Sequence, residues 1–287
     1  MEEPSRAIGL RKSWPGYLGN FNFAGKTVLE FGPASGFLGL KMEQAGAKVT
    51  AFEIPEGSTP DLIPIPGIDM AEVRKRQVEI ISLFRKNWRY YHSLFGSKNE
   101  VIYGDIYDLS KIDRRFQVAT FSAILLHLAN PFCAIQEAAK ITDETIIVTD
   151  VQHPALKDQP YLEFNPHPKS TDGAGWWLLS HGAVSRMLST VGFHKQALSF
   201  STHRLFDNPT SEKFTDMQFF TIIASRGGFS QAETSNATHV NIFARLIAVL
   251  AKFDRFARNR LKRIPLVRNL VGCASRVIRA EPTCSQR

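Results

Sequence analysis

The sequence predicts an α/β fold: a doubly wound, mostly parallel sheet closed by an antiparallel strand, followed by a basic helical extension. Three observations carry this reading. Short apolar runs alternate with longer helical patterns between residues 26 and 191. A small-residue turn, Gly32-Pro33-Ala34-Ser35-Gly36, joins the first of these strands to a helix. Two strand patterns, 195–203 and 216–225, then follow with no helix between them, which requires antiparallel pairing.

Taken in order, residues 6–24 are rich in aromatic side chains (Trp14, Tyr17, Phe21, Phe23) and suit a cap on the domain. Strand 26–31 leads to a helix over 36–45 and to strand 48–53. A proline-rich loop, 55–67, precedes a long helical pattern over 70–95. Strands 100–104 and 117–122, a helix over 131–140, strand 145–150 and a helix over 180–191 complete the alternation. Such alternation predicts a parallel sheet with helices on both faces. The domain boundaries follow: a body over 1–225, a linker over 226–239 rich in Gly, Ser, Thr and Asn, and a tail over 240–287.

Composition removes several classes. The 287 residues hold three cysteines and no Cys-x-x-Cys pair, which argues against a disulfide framework or a structural metal. No apolar run approaches the ~20 residues that span a bilayer, and the N-terminus lacks the apolar core of a secretion signal, so a cytoplasmic location is expected. The net charge of +8 is unevenly placed. From residue 240 onward eleven basic residues face two acids, leaving the first 239 residues near −1. Binding to nucleic acid is therefore the weaker expectation for the body.

The strand ending in Glu30 and the turn behind it carry the chemistry. Small residues between strand and helix let a ligand approach the backbone, where free N–H groups lie at the helix start. Ala34-Ser35-Gly36-Phe37-Leu38-Gly39 nearly fits G-x-G-x-x-G, so dinucleotide-binding proteins and S-adenosylmethionine (SAM) enzymes both remain in view. Glu30 favours the second. A carboxylate beside a sheet core is costly without a partner, and a cationic amino-acid moiety in the ligand would supply one. Glu53 ends the second strand, where a carboxylate's two oxygens could accept bonds from two ribose hydroxyls.

Over residues 20–225 the chain resembles the class I SAM-dependent methyltransferases, with a Rossmann-like fold. The resemblance rests on Glu30 to Gly36, on Glu53, on Gly104-Asp105-Ile106-Tyr107-Asp108 and on Phe121-Ser122-Ala123-Ile124-Leu125-Leu126-His127. It departs from the common pattern at Ala34, where a second glycine is usual. It implies SAM as cofactor, with Glu30 and residues Gly32, Pro33, Ala34, Ser35 and Gly36 at the methionine portion. Glu53 and Ile54 would then meet the ribose, Asp105 and Ile106 the adenine, and Ser122 the edge beside the transferred methyl. A narrower resemblance, through Asn87-Trp88, Gly96-Ser97-Lys98, His127 to Pro131 and Trp176-Trp177, points to the branch with the bacterial tRNA wobble-uridine carboxymethyltransferase and its relatives of unknown substrate.

On the acceptor side, His127 follows the fourth strand of the alternation, and its ordinary pKa of ~6.5 suits proton removal. Asp150 and His153 follow the fifth strand and are further catalytic candidates; each also has a purely structural reading. Trp176 and Trp177 could wall an acceptor pocket or pack in the core. The expected acceptor is a small molecule, a glycan or a lipid-linked compound. In the tail, Phe243, Leu246, Ile247, Leu250, Phe253 and Phe256 recur at helical spacing, with Arg245, Lys252, Arg255 and Lys262 on another face. That is the composition of a helix lying on a membrane surface, with contact expected over 240–279, or of one docked on an acidic partner or on the body. An NAD-dependent oxidoreductase, a tRNA-modifying enzyme and a non-catalytic SAM-fold module stay open as alternatives.

Overall fold

In the computed structural model, residues 7–156, 159–166, 174–206, 212–227 and 238–239 are described. The expected tail lies outside them, as does most of the linker. The strands are Ala7–Ile8 (β1), Thr27–Phe31 (β2), Lys48–Glu53 (β3), Glu100–Tyr103 (β4), Phe116–Ser122 (β5), Thr142–Val151 (β6), Leu162–Phe164 (β7), Trp177–Leu179 (β8), Lys195–Phe206 (β9), Phe214–Ser225 (β10) and Thr238–His239 (β11). The helices are Trp14–Tyr17 (α1), Phe37–Gln44 (α2), Met70–Phe95 (α3), Pro131–Ile141 (α4) and His181–Thr190 (α5).

The main sheet runs β1-β9-β10-β6-β5-β2-β3-β4, with β11 also on β9. Strands β4, β3, β2, β5 and β6 are parallel, and β10 pairs antiparallel with both β6 and β9. In chain order the parallel part reads 3-2-1-4-5, the doubly wound Rossmann order, up to the reversed strand β10. The order reverses between β2 and β5. That crevice, at the carboxyl ends of the strands, is where open α/β sheets bind ligands.

Side-chain alternation gives each face its own core. Leu29, Phe31, Ala119, Phe121, Ile146 and Val148 point to the face covered by α4 and α5, through Ala134, Ile135, Ala138, Val184 and Leu188. Val28, Val49, Val118 and Ile147 point to the opposite face, beneath Tyr17, Leu18, Phe21, Phe23 and Met42. The aromatic N-terminal segment therefore does cap the sheet. Its Tyr17 carbonyl accepts hydrogen bonds of 2.8 Å from both Thr149 and Thr221 inside the core.

Local chemistry sets the helix ends. The Asp69 carboxylate caps α3 on the Ala71 and Glu72 N–H groups, and Gly96 ends that helix in the left-handed region at φ 59°. Asn130 caps α4 ahead of Pro131, and Ser180 caps α5. Two features were not foreseen from the sequence. A hairpin, β7–β8, rises between β6 and α5, and β1 and β11 extend the free edge of β9. The last residues of the expected linker thus return to the sheet as β11. Among the described residues no helix is long and apolar enough to cross a membrane.

Candidate functional site

The carboxyl ends of β2, β3 and β4 gather the glycine turn, Glu53 and Tyr103 around one cleft. Pro33, Ala34, Glu53, Arg85, Trp88, Arg89, Val101 and Tyr103 line it. Gly32 has φ 65°, and its N–H donates to the Phe52 carbonyl at 3.0 Å, tying the turn to β3. Gly36 is the N-cap of α2 at φ 79°. A Cβ there would fall 2.4 Å from Trp88 Cδ1, so glycine serves both conformation and space. Ala34 also adopts a left-handed conformation, φ 47°, which a side chain disfavours. The departure from the usual glycine thus has a conformational cost.

Glu53 sits half-buried on the cleft, and its Oε1 accepts the Ile54 N–H at 2.8 Å. Burial pushes its pKa up, while the Ile54 N–H and the Arg85 guanidinium draw it back. Arg85 donates to the Ile54 and Pro55 carbonyls and lies 5.5 Å from the Tyr103 ring. Trp88 stacks on His92 at 4.6 Å and covers Gly36. Helix α3 thereby forms the outer wall of the cleft. Arg85, Trp88 and Arg89 were not singled out as site residues from the sequence. Their signal was an i, i+3, i+4 spacing on one helix face.

Glu30 lies behind this turn and not on the cleft. It is 2% exposed, accepts the Gly39 N–H, and leaves Oε2 without a hydrogen bond among the described residues. A Cβ on Gly39 would fall 2.6 Å from that oxygen, which explains a glycine inside α2. Burial raises the Glu30 pKa to about 8. Asp105 is exposed, and its Oδ1 accepts the Tyr107 N–H at 2.9 Å, capping the turn after β4. Ile106 is buried in the same apolar core as Phe52 and Leu109.

The residues expected on an acceptor side lie after β5 and β6. Ser122 ends β5 opposite Thr149, and Ala123 turns the chain at φ 52°. Ile124 then fills the space left open at Gly32. His127 closes a short 3-10 turn, Leu125–His127, and its Nδ1 lies 2.8 Å from the Ala174 carbonyl. A carbonyl only accepts, so Nδ1 carries the proton and the basic lone pair of neutral His127 is on Nε2. Asp150 is 2% exposed and lies beneath this turn, where it accepts the Leu126 and Val151 N–H groups. Burial raises its pKa to about 7. His153 Nδ1 is buried without a hydrogen bond among the described residues. Trp176 and Trp177 stand on the hairpin, each meeting Phe164 edge-on at 6.3 and 5.6 Å. No group of acidic, histidine and cysteine side chains suited to a metal occurs among the described residues.

The strand order defines the chain as a Rossmann-like α/β domain, with the cleft at the carboxyl ends of β2, β3 and β4, next to the β2/β5 switch point. No family model and no curated protein matches the sequence. Solved structures similar to it include a Bacillus halodurans C-125 protein designated a methyltransferase, at 14% identity over 77% of this chain and 100% of that one, TM-score 0.48. A second is the Burkholderia thailandensis 1,6-didemethyltoxoflavin-N1-methyltransferase, crystallised with its substrate and S-adenosylhomocysteine (13% identity, 76% and 78% coverage, TM-score 0.45). A third is the Synechocystis PCC 6803 magnesium protoporphyrin IX methyltransferase with bound S-adenosylhomocysteine (13% identity, 75% and 80% coverage, TM-score 0.41).

Proposed function

We propose that this chain is a SAM-dependent methyltransferase acting on an oxygen or nitrogen of a small-molecule, glycan or lipid-linked acceptor. The observation that carries the reading is the reversed strand β10 between β6 and β9, on a sheet whose carboxyl edge gathers the glycine turn and Glu53. A dinucleotide fold would continue with a parallel strand there. The cleft chemistry also fits the cofactor. Carboxylate oxygens suit ribose hydroxyls, the rings of Trp88 and Tyr103 suit a planar base, and the guanidinium groups suit a carboxylate.

In this reading the backbone of Gly32 to Gly36 faces the methionine portion, while Glu30 sets the start of α2 from behind. Glu53 and Ile54 hold the ribose, and Asp105 and Ile106 border the adenine. When bound, SAM supplies a methyl group on a sulfonium, and alignment with the acceptor accounts for much of the rate. His127 Nε2 takes the acceptor proton, with the opposite ring nitrogen fixed on Ala174. Asp150 holds the turn that carries His127, and His153 lies beyond β6 on the same edge. Residues 240–279 keep the enzyme at the anionic inner face of a membrane, in the cytoplasm.

Ultraviolet cross-linking with radiolabelled SAM, followed by peptide mapping, tests the reading. Label on peptides holding residues 30–54 or 101–108 supports it, and label spread evenly over the chain contradicts it. For the tail, replacing Arg255, Arg258, Lys262 and Arg263 together by Gln in the full chain is expected to abolish sedimentation with anionic vesicles. Unchanged sedimentation would remove the membrane role.

A further inference from the structure

One carboxylate stitches the two halves of this edge together, and it belongs to neither. Asp61 lies in the proline-rich loop between β3 and α3. Its Oδ2 accepts the Tyr107 hydroxyl and, at 2.6 Å, the Ala129 N–H. The Tyr107 oxygen in turn accepts the Asn130 N–H at 3.2 Å. The Asp61 main-chain carbonyl accepts the Trp176 indole N–H at 2.9 Å, and the Ala129 carbonyl accepts that of Trp177 at 3.2 Å. Tyr107 follows the turn that borders the adenine side. Ala129 and Asn130 follow His127, and the two tryptophans stand on β7–β8.

The same hairpin carries Ala174, whose carbonyl fixes the His127 proton on Nδ1. Trp176 is bound twice, through its indole to the Asp61 main-chain carbonyl and through its backbone N–H to the Leu126 carbonyl, each at 2.9 Å. The Asp61 carboxylate, on Tyr107 and Ala129, fixes the loop that presents that carbonyl. Ala174, two residues before it, is placed by that double attachment. An isolated imidazole exchanges between its two tautomers, so a fixed carbonyl is needed to keep Nε2 free of the proton.

We propose that Asp61 is a positioning residue for the transfer reaction, locking the β7–β8 hairpin, and through it the His127 tautomer, to the cofactor-side loop. This rests on the methyltransferase reading above, in which His127 Nε2 faces the acceptor. Asp61 touches no reacting atom. It sets the geometry of one that does, and it couples occupation of the adenine side to the shape of the acceptor side. Asn at this position keeps an oxygen that accepts both bonds. Leu keeps the volume and the main-chain carbonyl but removes both carboxylate bonds, so the loop that presents this carbonyl to Trp176 loses its anchors on Tyr107 and Ala129.

Long-range proton–nitrogen correlation spectra of histidine-labelled full chain, with S-adenosylhomocysteine titrated alongside, test the proposal. Wild type and Asp61→Asn are expected to show His127 protonated on Nδ1. Asp61→Leu is expected to show exchange between tautomers, together with at least tenfold faster amide exchange at residues 174–179. A merely structural residue would lower the melting temperature and leave the tautomer alone. An unaltered His127 signal in a folded Asp61→Leu variant overturns the proposal. Should that variant not fold, Tyr107→Phe, which removes one of the two bonds, reads the same signal, and no change there overturns it equally. Absence of S-adenosylhomocysteine binding in wild type would instead strike the cofactor reading, while the tautomer measurement stands apart from it.

Discussion

The two halves of the carboxyl edge are built differently. At the glycine turn, residues 30–39 form strand, turn and helix within ten positions, and each glycine answers a local demand: φ 65° at Gly32, φ 79° at Gly36, and close packing on Glu30 at Gly39. Around the turn after β5, His127, Asp61, Tyr107 and Trp176 gather from segments up to 115 residues apart. Local demands leave a mark in sequence spacing, whereas bonds between distant loops do not. The comparison teaches that the glycine turn is fixed by conformation and the edge after β5 and β6 by a hydrogen-bond network.

The comparison breaks most visibly at Gly36. Valine there must place its side chain in the Trp88 ring with a left-handed backbone, at a cost of ~3 kcal/mol or more. The expected outcome is at least a hundredfold loss of S-adenosylhomocysteine affinity and a lower urea midpoint, read by calorimetry and denaturation. A variant with wild-type affinity would mean that Trp88 does not need to close on the turn.

The next effect comes from the two buried acids. Both have folded-state pKa values above their unfolded ones, Glu30 at about 8 and Asp150 at about 7. The folded state then holds protons that the unfolded chain releases, so the stability these two groups contribute is fully present below about pH 4 and is lost as pH rises to 8. Above pH 7 most of the slope belongs to Glu30. Glu30→Gln is expected to flatten the melting-temperature profile between pH 7 and 8, raising it at pH 8 by several degrees. A profile as steep as wild type would place the ionised form of Glu30 in the fold. The smallest effect lies at Ala34. Glycine relieves the φ 47° strain and is expected to add about 0.5–1 kcal/mol net of its own entropy, visible as a rise of about 2 °C.

These residues also show why some parts of the molecule were legible. Period-2 and period-3.6 patterns placed β2 to β6, α2 to α5 and the antiparallel pair β9–β10 within a few residues. The hairpin β7–β8 was not foreseen, because strands of three residues bury too little to leave a pattern. Glu53 lines the cleft from the end of β3. Glu30 does not: the sequence shows that an acid is buried there but not on which side of the turn its carboxylate lies. Asp105 serves a turn through Tyr107, which its Asp-x-Tyr spacing allowed equally. Asp61 carried no signal at all, since a lone acid among prolines looks like any solvated loop residue.

Calorimetric titration of the full chain with S-adenosylhomocysteine, with NAD run in parallel, tests the central claim most directly. The two ligands share an adenosine and differ in what the glycine turn must hold. The account predicts micromolar binding of the first, none of the second, and a roughly tenfold to hundredfold loss in Glu53→Ala, the worth of charge-assisted hydrogen bonds to two hydroxyls. Binding of NAD in preference, or binding of S-adenosylhomocysteine that Glu53→Ala leaves untouched, would contradict it.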